Sequence, residues 1–215
     1  LTDNEQAFLS LALPYAQRVR QQLGLPVSAV LAQWAIESSW GTSDLARYHH
    51  NLGGISFTRY ADYAASNKPA AEGGGPYSGF RSLEAFTADY IRLLSARGYG
   101  YPAILEAGRR GDPVAVIDAM AASQYASSHY QTRDEATGRT TLENMHLIQQ
   151  QLARFDADIT FYRRTPEFTI EAGPGRAEIL PSSPVSPSAW AAIAGGVLMI
   201  LALFSAGIEY ITKEE

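Results

Sequence analysis

The C-terminal end of this chain limits most strongly what the rest of it can fold into. Residues 189–208 read AWAAIAGGVLMILALFSAGI, about 20 positions without a charge, the length that crosses a hydrocarbon layer of ~30 Å. Trp190 and Tyr210 stand near its two ends, where amphipathic aromatic rings favour the headgroup region. A single transmembrane helix over 189–211 is therefore expected. Ahead of it, residues 165–188 carry prolines at 166, 174, 181, 184 and 187, several beside serine. Proline removes a backbone donor and disrupts helix and strand interiors, so this stretch is expected to be a semi-extended linker. That leaves residues 1–164 for a globular domain.

Composition excludes several function classes for that domain. The net charge is −5 and no basic cluster interrupts the sequence, which argues against a nucleic-acid footprint. Cysteine is absent, so there is neither a disulfide framework nor thiolate chemistry. His49 and His50 are adjacent, and neighbouring side chains point apart. No spaced Asp/Glu/His set accompanies them, and no metal site is expected. The run EGGGP at 72–76 lacks the Lys-Ser/Thr and helix start of a phosphate-cradling loop, so no cofactor is expected either.

Helical periodicity dominates the first 164 residues. Ala7, Leu9, Leu11, Leu13, Ala16 and Val19 follow Asp3 and end at Gly24, the pattern of a first helix. Pro26 and Ser28 open a second, with Val27, Leu31, Trp34, Ala35 and Ser38 on one inward stripe. Residues 51–79 lose that period and are rich in glycine, which predicts a loop with a small hairpin. Ser82 caps a third long helix, and shorter helices are expected at 102–109, 112–122 and 141–155. The expectation is a mostly helical α+β domain with one small β or loop lobe.

Within the second helix one acid, Glu37, interrupts an otherwise uncharged run from 27 to 40. The helical wheel puts it at the edge of the apolar stripe, near Val30, Gln33 and Trp40. Partial shielding from water disfavours an ionised carboxyl, and a protonated carboxylic acid is what glycosidic cleavage needs at the leaving oxygen. Lysozyme supplies the precedent, a glutamic acid held against a tryptophan. Trp34 is expected in the core, and Trp40 is expected to help build a cleft.

The surroundings sharpen this reading. ESSWGTSDLA followed by HHNLGGI resembles the glucosaminidases that cut bacterial peptidoglycan, glycoside hydrolase family 73, whose pattern is near L-A-Q-A-x-x-E-S-G-W-G-x-S-x-L-A…N-L-F-G-I. Leu31, Ala32, Gln33, Glu37, Ser38, Trp40, Gly41, Ser43, Leu45, Ala46, Asn51, Leu52, Gly54 and Ile55 match, while Trp34, Ser39 and Gly53 depart from it. Two later stretches follow in the family's order. YSGFRSLEAFTADYIRLL keeps Phe80, Ser82, Asp89 and Tyr90, and SQYASSHY keeps Tyr125, Ala126 and Tyr130.

The resemblance implies a lysozyme-like fold with Glu37 as general acid in a cleft between lobes. It implies that Tyr125 lines the cleft and orients substrate or a carboxylate. Gln33, Trp40, Asn51 and Tyr130, all within the matched motifs, are expected to bind substrate. A second carboxylate would come from the β lobe. Asp62 resembles the family's acidic-aromatic strand pair, whereas Glu72 has the more typical sequence distance from Glu37. Neither is needed if the substrate's N-acetyl group assists. The expected function is a membrane-anchored hydrolase of the β-1,4 bond between GlcNAc and MurNAc, its domain facing periplasm or cell wall. Two alternatives stay open: a lytic transglycosylase or muramidase of the same fold, or a non-catalytic subunit of an envelope or virion assembly. The expected partners are glycan strands and, through the C-terminal helix, the membrane.

Overall fold

The computed structural model describes residues 1–67, 74–95, 101–123, 128–135 and 137–157. These all lie within the unit Leu1–Arg164. The linker 165–188, the expected transmembrane helix 189–211, Glu72 and Tyr125 lie outside the described residues. Among the described residues no helix is long and apolar enough to cross a membrane.

Helix α1 spans Asp3–Leu23 and opens with a reciprocal capping box, Thr2 accepting from the Glu5 N–H while Glu5 accepts from the Thr2 N–H. Helix α2 is Val27–Ser38 and α3 is Asp44–His49, capped by the Ser43 hydroxyl. The antiparallel hairpin β1 (Tyr63–Asn67) and β2 (Pro76–Gly79) follows, in the register Tyr63↔Gly79 and Ala64↔Ser78 with a bulge before Asn67↔Pro76. The chain returns to helices at α4 (Leu83–Ser95), α5 (Tyr101–Arg109) and α6 (Pro113–Ala122). A 3-10 turn, Ser128–Gln131, leads to α7 (Thr141–Leu152) and the short α8 (Arg154–Ala157). The expected mostly helical architecture with a small hairpin lobe is what the fold contains.

The expectation of a single inward stripe on α2 needs correction. Every residue of α2 from Val27 to Ala35 is buried, and of its residues only Ile36 and Glu37 reach intermediate exposure. The reason is its position: α1, α6, α7 and α8 all pack against it. A helix enclosed by others buries its whole circumference, not one face. The short α3 has no counterpart in the sequence reading. Six residues are too few to show a helical period, and the Ser43 cap was the only local sign.

The core runs through this central helix. Trp34 is fully buried and meets Phe86 and Tyr90 edge-on at ring-centroid distances of 5.1 and 5.3 Å. Phe80 continues the cluster from the end of the hairpin to α4.

Candidate functional site

Glu37 is the penultimate residue of α2, so its position depends on how that helix ends. The backbone turns left-handed at Ser39 (φ 51°), Trp40 (φ 56°) and Gly41 (φ 75°). For two residues with side chains this costs of order 1–3 kcal/mol each, and surrounding structure must hold them there. The Trp40 N–H donates to the Ala35 carbonyl at 2.7 Å, and the Gly41 N–H donates to the Ser38 hydroxyl at 2.8 Å. The half-buried Trp40 ring meets Phe8 of α1 edge-on at 5.5 Å.

This reversal carries the chain through α3 and into a turn that meets Glu37 again. At Gly54 the backbone is left-handed (φ +61°), and a Cβ there would stand 2.6 Å from Glu37 Oε2. Glycine therefore serves twice, adopting the conformation and leaving room for the acid. The turn is braced by Asn51, whose Oδ1 accepts from the Ile55 N–H at 3.0 Å. Its Nδ2 donates to the carbonyls of Ile55 and Ser78 at 3.0 and 2.9 Å.

The other carboxyl oxygen is held from across the domain. The Tyr130 hydroxyl donates to Glu37 Oε1 at 2.5 Å, and Tyr130 itself is fully buried. Below lies a second phenol, Tyr90 of α4, which donates to Gln33 Oε1 at 3.3 Å. Burial, and then the nearby Glu37 charge, push the Tyr90 phenol well above the usual tyrosine range, so it remains a donor at neutral pH. The bond from Tyr130 to Oε1 fixes the orientation of the Glu37 carboxyl.

The predicted site residues divide into distinct places. Gln33 and Asn51, expected to bind substrate, are fully buried, and each has polar partners inside the protein. They shape the floor beneath Glu37; in this conformation no sugar reaches them. Tyr130, also expected to bind substrate, is buried and donates to the acid; Tyr125, expected to orient substrate or a carboxylate, lies outside the described residues. Asp62 is exposed, and its Oδ2 accepts from the Arg81 N–H at 2.7 Å, tying β1 to the segment before α4. Sequence reasoning missed the role of Gly54, although it stands in the N-L-x-G-I motif that matched. It also missed a set of exposed aromatic side chains, Tyr48, Phe57, Tyr60 and Tyr63, on α3, β1 and the loop between them.

The glucosaminidase family model, described as mannosyl-glycoprotein endo-beta-N-acetylglucosaminidase, matches residues 13–143, which include Glu37, Gly54 and Tyr130. The chain belongs to the glucosaminidase family. It is accordingly a glycoside hydrolase. Solved structures share its fold. The glycoside hydrolase domain of FlgJ from Salmonella typhimurium is 20% identical at a TM-score of 0.50, covering 74% of this chain and 94% of that one. The catalytic domain of the autolysin Auto from Listeria monocytogenes is 17% identical at a TM-score of 0.54, covering 73% and 89%. A structure of a type VI secretion system effector–immunity complex from Pseudomonas protegens is 20% identical at 0.51, covering 73% and 96%. Comparison with curated proteins finds no match. These neighbours share the mostly helical fold of the glucosaminidase domain.

Proposed function

We propose that this glucosaminidase hydrolyses the β-1,4 bond between GlcNAc and MurNAc in peptidoglycan, with Glu37 as the general acid. The observation that carries the reading is the two-sided grip on one carboxyl, Tyr130 on Oε1 and Gly54 against Oε2. An acid so oriented hands a proton to a glycosidic oxygen without first reorganising. A second carboxylate, Glu72 or Asp62, balances the oxocarbenium-like charge or holds the water.

Two features support peptidoglycan as the glycan. The exposed rings of Tyr48, Phe57, Tyr60 and Tyr63 suit the apolar faces of sugar rings. Arg59 and Arg92 also lie over the Tyr60 ring, at 4.8 and 5.1 Å, adding positive charge beside the exposed aromatics. Peptidoglycan carries carboxylates on its peptide stems, which a neutral glycan lacks.

The test is zymography on purified peptidoglycan with the wild type and Glu37→Gln. The amide keeps the shape and removes the transferable proton, so clearing should fall at least ~100-fold. Equal clearing by both would remove Glu37 from the mechanism. Released ends should be reducing GlcNAc; reducing MurNAc would mean a muramidase, and anhydro-MurNAc a lytic transglycosylase.

The apolar segment 189–211 anchors the enzyme, and the proline-rich linker lets its domain reach strands outside the cytoplasmic membrane. Full-length protein should stay with membranes through a high-salt wash, whereas a chain ending at residue 188 should be released. Release of both would leave the segment without an anchoring role.

A further inference from the structure

Asp89 of α4 is 1% exposed, yet only one of its carboxyl oxygens has a partner. Oδ2 accepts from the Thr58 hydroxyl at 2.8 Å, while Oδ1 is buried without a hydrogen bond. A half-satisfied buried carboxyl is a poor device for stability alone, because the unpaired oxygen loses its water for nothing in return. Burial, opposed by Thr58 and by the charge of Arg92 and reinforced by Asp62, raises its proton affinity above the ordinary aspartate value.

The single partner it has leads to the catalytic turn. Thr58 donates its backbone N–H to the Ser78 hydroxyl at 3.1 Å, and Ser78 in turn donates to the Ser56 carbonyl at 3.0 Å. The Ser78 N–H donates to the Ile55 carbonyl at 2.9 Å, and the Ser78 carbonyl accepts from Asn51. Asn51 and Ile55 close the turn that presses Gly54 on Glu37. Each link is a hydrogen bond of ordinary length, so a shift at Thr58 is passed to strand β2 and to Gly54.

We propose that Asp89 is a positioning residue for the reaction: by holding the Thr58 hydroxyl it sets where the β1–β2 hairpin and the Gly54 turn stand against the Glu37 carboxyl. Asp89 is buried and touches no substrate. It acts through Thr58 and Ser78, and the inference rests on Glu37 being the acid.

The experiment compares Thr58→Val, Thr58→Ser, Asp89→Asn and the Thr58→Val/Asp89→Asn double variant in kcat, KM and Tm on solubilised glycan strands, with Glu37→Gln alongside. Thr58→Val should lower kcat about tenfold with KM within about twofold, since misplacement costs orientation before it costs binding. Thr58→Ser, which keeps the hydroxyl, should restore kcat. The double variant should be no slower than the slower single one, because both changes cut the same link. Thr58→Val with wild-type kcat, or with a lower Tm as its sole effect, overturns the proposal. So does a double variant whose losses multiply. If Asp89→Asn fails to fold, the Thr58 pair still decides. Undiminished activity in Glu37→Gln instead overturns the acid assignment, a different outcome from a silent Thr58→Val.

Discussion

A carboxyl group performs acid catalysis only if its proton leaves from a defined atom in a defined direction. At Glu37 that direction is set by a phenol on one oxygen and a glycine Cα beside the other. Tyr130→Phe removes the donor and keeps the buried ring. It should reduce kcat on peptidoglycan roughly ten- to hundredfold, the scale of a misoriented catalytic group. Steady-state kinetics with circular dichroism checks this; a Phe variant with wild-type kcat would show that the tyrosine merely fills space. The acid itself was legible in the sequence because a lone charge in a long apolar run is a local contrast. Its two holders were not, since neither stands one helical turn from it.

Helix α2 carries that acid at its C-terminal end and is capped at the other end by a distant residue. Pro26, at the N-cap, offers no side-chain acceptor. Asp156 of α8 supplies it, accepting from the Ser28 N–H at 2.9 Å through Oδ1 and from the Ser28 hydroxyl through Oδ2. Gln149 donates to the same hydroxyl at 3.0 Å, and Arg20 donates to the Asp156 carbonyl at 2.7 Å. Asp156→Ala strips two donors of their acceptor and removes a negative charge from the positive end of the helix dipole. The expected loss is about 2 kcal/mol, a fall in Tm of roughly 4–8 °C for a domain of this size. Differential scanning calorimetry reads it, and an unchanged Tm would mean that water serves Ser28 equally well. The cap at Ser82 was legible because cap and helix adjoin in sequence. The cap of α2 was not, because 128 residues separate it from Ser28.

At the scale of the whole domain, the pH range of stability is shaped where α1 meets α4. The Tyr15 hydroxyl donates to Glu84 Oε1 at 2.6 Å, with Arg18 close by. Burial works against the Glu84 carboxylate, but hydrogen bonds from Tyr15, its own backbone and Ser82, and the Arg18 charge, hold its proton affinity below the usual value. Burial, then the bond to Glu84, pushes the Tyr15 phenol above its usual range. The depressed acid stabilises the fold above the unfolded glutamate value of ~4.3, and this is lost as pH falls through its lower folded value. The raised phenol's contribution is complete below the unfolded tyrosine value of ~10 and is lost as pH climbs beyond it. Tyr15→Phe should therefore flatten the plot of Tm against pH in both windows, with modest amplitude because the pair is about half-exposed. Parallel plots for variant and wild type would exclude the contact as a source of pH dependence.

By itself the sequence determined the longer helical segments, the Ser82 cap, the hairpin lobe and the one acid in an apolar run. These are local properties: a period, a neighbouring cap residue and a change in composition all lie within a few positions. The tertiary structure alone decided which groups hold the acid, with Tyr130 reaching it across 93 residues, and which distant carboxylate caps its helix. It also decided that Gln33 and Asn51 lie beneath the site, not on its surface. Hydrogen-bond partners are chosen by distance in space, and periodicity along the chain carries no record of that distance.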